Sequence, residues 1–253
     1  MERAEGMELQ RRNLAAFIRL LGSSSEGAFV IERDGVLASV VPAVPQRSVV
    51  NSVVYRDGAS LAAALDEVTA AFDRAGIAAW TVWVPDDDRD AAAALEAAGH
   101  RLDAIPTAMV LDLEGLPDPD ADDLDWDAEA DPGEVGRIND LAYGLAPGGF
   151  GGALADVRTA PPVRLYQARV DGEPVCVLGT IDDRDDCGVY FVATLKGHRG
   201  RALARRLLHV ALAEARERGC RTSSLQASPL GYPVYERLGY ETICALEMWE
   251  RRR

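Results

Sequence analysis

The residues of this chain best suited to chemistry lie between Val189 and Leu208, VYFVATLKGHRGRALARRLL, where an apolar run breaks into an Arg/Gly-rich turn and resumes at once as a helical pattern. A strand that delivers the chain to such a turn leaves the first amides of the helix without partners, with the positive end of the helix dipole behind them. Such a site suits a pyrophosphate. Downstream, SPLGYPVYERLGYE carries the hydroxyl of Ser228 and, seven positions later, the phenol of Tyr235. A phenol with an ordinary pKa near 10 is protonated at neutral pH and can donate to a leaving group.

These residues resemble the GNAT superfamily of N-acetyltransferases, whose acetyl-CoA loop reads Arg/Gln-x-x-Gly-x-Gly/Ala. The corresponding loop is Arg199-Gly200-Arg201-Ala202-Leu203-Ala204. Ala204 fits the final small residue, whereas Ala202 stands where the family usually has glycine, and its methyl group would crowd the closest backbone approach to a pyrophosphate. The family's second signature, a polar residue seven positions ahead of Tyr-x-x-x-Gly-Tyr/Phe, is matched by Ser228 and by Tyr235-Glu236-Arg237-Leu238-Gly239-Tyr240.

The resemblance implies acetyl-CoA as co-substrate, no metal, and acetyl transfer to a primary amine by direct attack. It implies that the backbone of Val192, Ala193 and Thr194 pairs with pantetheine in a gap between two splayed strands, and that Arg199, Gly200, Arg201, Ala202, Leu203, Ala204 and Arg205 hold the pyrophosphate. Ser228 would bond the pantetheine or the cofactor end nearby. Tyr235 would protonate the departing thiolate; the alternative is a core tyrosine whose hydroxyl is satisfied elsewhere. No general base stands out. Ser223, Ser224 and Tyr190 on the flanking strands are not carboxylates, so deprotonation through water is expected. Asp182, Asp183, Asp185 and Asp186, in IDDRDDCG, read as a solvated turn that could also touch substrate, and His198 reads as touching solvent or phosphate. A catalytically weak CoA-binding or protein-interaction module, and transfer of a longer acyl group, stay open as alternatives.

The elements that must position these residues occur twice. Residues 1–115 read as a helix (Met7 to Leu21), strands (Ala28 to Glu32, Val36 to Val41, Val49 to Tyr55), a helix (Leu61 to Ala75), a strand (Ala78 to Val84), a helix (Asp87 to Ala98) and strand material to Leu113. Residues 126–253 repeat that order, with a helix from Ala202 to Arg218 and a strand from Arg221 to Ala227. Asp-Gly hairpin signals recur at Asp34-Gly35 and Asp171-Gly172. The expected fold is therefore α/β of the α+β type, two GNAT-like lobes, each a mixed and mostly antiparallel sheet flanked by helices. The stretch 116–125, rich in Pro and Asp, reads as an exposed linker. The first lobe is expected to be degenerate, because Asp57 occupies the turn where phosphate would sit and Leu95 stands where the second copy has Tyr235.

Composition narrows the class. Of 253 residues, 48% are hydrophobic and 27% charged, the balance of a globular chain with room for two cores. No apolar run reaches a membrane span and no signal-peptide pattern opens the sequence, so a cytoplasmic location is expected. Residues 1–125 carry 10 Lys+Arg against 23 Asp+Glu, a net of −13, and the remainder 17 against 18, a net of −1. The total of −14 argues against nucleic-acid or anionic-membrane partners. A small-molecule or peptide amine acceptor is expected, with the chain a monomer or homodimer. The acidic half would either draw a cationic amine or serve solubility alone. The four cysteines, Cys176, Cys187, Cys220 and Cys244, lack metal spacing and read as buried free thiols.

Overall fold

The apolar periodicities resolve into seven helices and twelve strands among the described residues, which in this computed structural model are 2–146, 148–157 and 162–253. The first half runs α1 (Arg3–Leu21), β1 (Phe29–Arg33), β2 (Val36–Val40), β3 (Ser52–Tyr55), α2 (Gly58–Arg74), β4 (Ala79–Pro85), α3 (Arg89–Ala97), β5 (Arg101–Ala104) and β6 (Thr107–Asp112). The second runs β7 (Trp126–Asp127), α4 (Pro132–Tyr143), α5 (Gly149–Ala153), β8 (Val163–Val170), β9 (Glu173–Asp183), β10 (Asp186–Thr194), α6 (Leu203–Glu217), β11 (Thr222–Ala227), α7 (Tyr232–Glu236) and β12 (Glu241–Arg252). Asp57, Asp88 and Asp131 start α2, α3 and α4 by accepting the amides of Ser60, Ala91 and Glu134 at 2.8, 3.1 and 3.0 Å. The glycine-rich α5 and the two-residue β7 carry no strong sequence signal and were not anticipated.

All twelve strands join one mixed α/β sheet, in the order β1-β2-β3-β4-β12-β6-β11-β10-β9-β8-β7, with β5 on β12. Among the strands of the described residues, only β3–β4 and β10–β11 pair in parallel. The two halves exchange their last strands. β6 leaves the first half to lie between β11 and residues 241–245 of β12. β12 then crosses the other way, and its residues 246–252 pair with β4 while β5 flanks its far side. Each half thus borrows from the other the strand beside its own parallel pair.

Helix α1 lies over this junction. Its apolar residues Leu9, Leu14 and Ile18 pack with Leu37 of β2, Val54 of β3, Val110 of β6 and Leu246 of β12. Its polar residues face the second half. Gln10 Nε2 donates to the carbonyls of Met109 and Leu225, and Asn13 Nδ2 donates to Asp186 Oδ2 at 2.7 Å. A β-carbon at position 188 would overlap the Asn13 carboxamide, which is why glycine stands there.

The stretch 116–125 is exposed over most of its length but is anchored to α6. Leu116 and Leu124 are buried in the core under α6, and Arg206 and Arg216 pair with Asp123 and Asp118. His209 Nε2 lies 2.7 Å from Pro117 O. The basic face of α6 offsets the mutual repulsion of the aspartates and straps the segment down.

Candidate active site

β10 pairs with β11 only over Asp186–Gly188, against Thr222–Ser224. β11 continues on its other edge with β6 as far as Ala227, so it is β10 that turns away. The cause is a β-bulge: the register against β9 shifts between Tyr190 and Ala193, and Phe191 sits in the left-handed region at φ 56°. The gap between the diverging strands opens into a cavity of about 410 Å³.

Eleven of the twelve residues singled out from the sequence line that cavity: Val192, Ala193, Thr194, Arg199, Gly200, Ala202, Leu203, Ala204, Arg205, Ser228 and Tyr235. Arg201 does not, and its guanidinium lies 3.4 Å from His198 Nδ1. After β10 a short 3₁₀ turn, Lys196–His198, leads to Gly200 at φ 77° and Ala202 at φ 58°, the N-cap of α6. Ala202 has no side chain to cap the helix, and the amides of residues 200–205 have no backbone acceptor among the described residues. They constitute an anion cradle. Arg199 acts differently from expectation: its Nε donates to Thr194 O at 3.1 Å and its Nη2 to Ala142 O at 2.6 Å, so it ties the strand end to α4.

Tyr235 is held at the base of the cavity by α7, edge-on to Tyr240 with ring centroids 5.9 Å apart. Its hydroxyl has no hydrogen-bond partner among the described residues, and burial, with Tyr143 and Cys176 nearby, raises its ionisation well above the usual range. It therefore holds its proton at neutral pH. Sequence reasoning missed the α4 contribution, Ala142 and Tyr143, and the rim residues Leu230 and Arg237. Arg237 lay inside the Tyr-x-x-x-Gly element and could have been found there. No carboxylate lines the cavity among the described residues, whereas Arg199, Arg205, Arg237 and His198 do, so its field favours an anion.

The aspartates of the β9–β10 hairpin are solvated only in part: Asp185 is exposed at the turn, and Asp182 and Asp183 are half-buried. Asp186 is buried and accepts from Asn13, Ser224 and Thr222 at 2.7, 2.6 and 2.8 Å. Asp182 pairs with Arg218, and Asp183 and Asp185 with Arg12. Every one of the four is committed within the fold. All four cysteines are buried and free.

The equivalent turn of the first half is closed by its own side chains. β3 and β4 also pair over only two positions. Asp57 Oδ1, however, accepts from Ser60 N and Oγ at 2.8 and 2.9 Å, and the hydrogen bond from Arg56 holds its carboxyl down at about 2. An anion at that helix start would meet a carboxylate. Leu95 is buried in the core of the first half.

The family model for the acetyltransferase (GNAT) family matches residues 125–240. That segment, a little under half of the chain, is what resembles the GNAT acetyltransferases. No curated protein matches the sequence significantly. Among solved structures, a GCN5-related N-acetyltransferase from Kribbella flavida is similar over 94% of each chain, with a TM-score of 0.66 and 18% identity. One from Sphaerobacter thermophilus is similar over 94% of this chain and 91% of its own, with a TM-score of 0.58 and 16% identity. A tandem GNAT protein from the clavulanic acid biosynthesis pathway is similar over 98% and 94%, at 0.58 and 16%. At these identities the likeness is one of fold, and it extends over both halves of the sheet. Within the matched segment, the diverging parallel pair and the uncapped start of α6 bound a cavity that joins both sequence signatures.

Proposed function

We propose that the protein is an N-acetyltransferase that moves the acetyl group of acetyl-CoA to a primary amine, with its single cofactor site in the second half of the chain. The observation that carries this reading is the cavity at the β10–β11 divergence, where an uncapped helix start and an unpartnered tyrosine hydroxyl line the same space. The pyrophosphate lies against the amides of residues 200–205, with Arg205 and Arg237 supplying charge at the rim. Pantetheine runs along the free edge of β10 near Val192 and past Ser228. The neutral amine attacks the thioester carbon, the C–N bond forms, and the tetrahedral intermediate breaks its C–S bond as Tyr235 gives its proton to the sulfur. The proton lost by the amine passes to water, and Tyr235 is reprotonated from solvent.

The first half is a degenerate copy, divided from the second in chain order at 116–125, and it supplies β6 and α1 to the working half. A second reading, a CoA-binding module without turnover, is favoured by Ala202 and by the lack of a carboxylate in the cavity lining. Two measurements on the purified protein separate these. Calorimetry with acetyl-CoA should give a stoichiometry near one per chain, and CoA release over an amine panel should exceed release without amine. Binding without amine-dependent release leaves the module reading, and no binding removes both.

A further inference from the structure

We infer that Asn139 is a positioning residue for the cofactor cleft: its carboxamide holds the β-bulge that parts β10 from β11. This rests on the acetyl-CoA site proposed above. A left-handed conformation costs a non-glycine residue roughly 1–2 kcal/mol, so Phe191 must be held in place by its surroundings. Phe17 and Phe150 pack its ring, with centroids at 5.5 and 5.9 Å. Its carbonyl is held by Asn139, whose Nδ2 donates to Phe191 O at 2.9 Å and to Val135 O, within α4, at 3.0 Å. The residue is 2% exposed.

The chemistry explains the residue type. One side-chain nitrogen serves two carbonyls, which a primary amide can do because it carries two N–H bonds; a hydroxyl carries one, and a carboxylate none. One turn further along the same face of α4, the Tyr143 hydroxyl donates to the next carbonyl of the bulge, Val192 O, at 3.4 Å. Arg199 then links Ala142 O to Thr194 O. The helix therefore grips β10 at Phe191, Val192 and Thr194. The grips differ in kind: the Asn139 bond is short and buried, whereas the Tyr143 bond is long and its residue is 52% exposed. Asn139 fixes the shape of the cleft. Tyr143 covers a carbonyl that pantetheine takes over.

The test is acetyl-CoA calorimetry on the full chain, with thermal unfolding measured alongside, at a temperature where every variant is folded. N139A should weaken binding about tenfold, the scale of one buried carbonyl left without its donor. N139D is nearly isosteric and reports through pH. Relative to the parent, its affinity should recover part of the loss at pH 6, where a protonated carboxyl can donate to one of the two carbonyls, and decline towards pH 9. Y143F should bind about twofold more tightly, since the carbonyl of Val192 is freed for the ligand. N139A binding within twofold of the parent, an N139D ratio flat with pH, or weaker binding by Y143F would each overturn the inference. N139D keeps the test usable if N139A does not fold. Absence of binding by the parent protein would instead overturn the acetyl-CoA reading itself.

Discussion

Replacing Ala202 by glycine should improve this protein twice over. The residue stands at φ 58°, ψ 13° as the N-cap of α6, a conformation that costs alanine about 1–2 kcal/mol and glycine almost nothing. Against this, glycine adds freedom to the unfolded chain worth about 0.4–1 kcal/mol. Ala202 is exposed, so no packing is lost. The net gain is about 0.5–1 kcal/mol, and a Tm rise of about 1–3 °C is expected for a chain of this size. Ala202 also lines the cavity at the start of the helix, where the proposed pyrophosphate would approach the backbone. A202G should therefore lower the Kd for acetyl-CoA by at least about twofold. Differential scanning calorimetry and isothermal titration read the two effects separately. A202V, β-branched in a left-handed conformation, should lose on both counts. A Tm that stays level or falls in A202G would refute the strain argument, and a raised Tm with an unchanged Kd would remove the methyl group from the path of the phosphate.

Three further outcomes are expected. Y235F should lower turnover by about 10²–10⁴-fold with little change in KM for acetyl-CoA, because the phenol matters as charge builds on sulfur; a loss under threefold with chemistry rate-limiting would make it a packing residue. R205E should weaken acetyl-CoA binding by about 1.5–3 kcal/mol, with the deficit shrinking at high salt, and an unchanged titration curve would sever the helix start from the cofactor. His100 is buried edge-on to Trp80, and burial pushes its pKa down to about 4. The unfolded chain therefore takes up the proton first, so stability holds above about pH 6.5 and falls by up to about 3 kcal/mol towards pH 4. H100F should remove that part of the acid limb, measured as the difference in Tm between variant and parent across the range, and parallel curves would contradict it.

What could be read from the sequence were the features written locally. The order of helices and strands follows from apolar period and Asp caps, and the cradle from Gly200 and the Arg-rich turn. What escaped depends on contacts between distant residues. The burial of Asp186 needs Asn13, which lies 173 positions away. The tethering of 116–125 needs the basic face of α6, and the α4 wall of the cavity needs the bulge at Phe191. The aspartate runs read as uniformly solvated because sequence displays charge but not the distant side chain that meets it.

The exchange of β6 and β12 has a consequence for the timing of folding. On a ribosome a chain emerges from its N-terminal side, and domains ordinarily close as they appear. Here the slot between β4 and β5 must wait for residues 246–252. A nascent chain that has reached residue 240 carries both parallel pairs and all seven helices, yet the facing edges of β4, β5 and β6 are bare. Such edges are templates for pairing with other chains. The two halves must mature in a single late event with high contact order, so slow translation near that point, or loss of the final strand, should be met by aggregation rather than by a half-working enzyme.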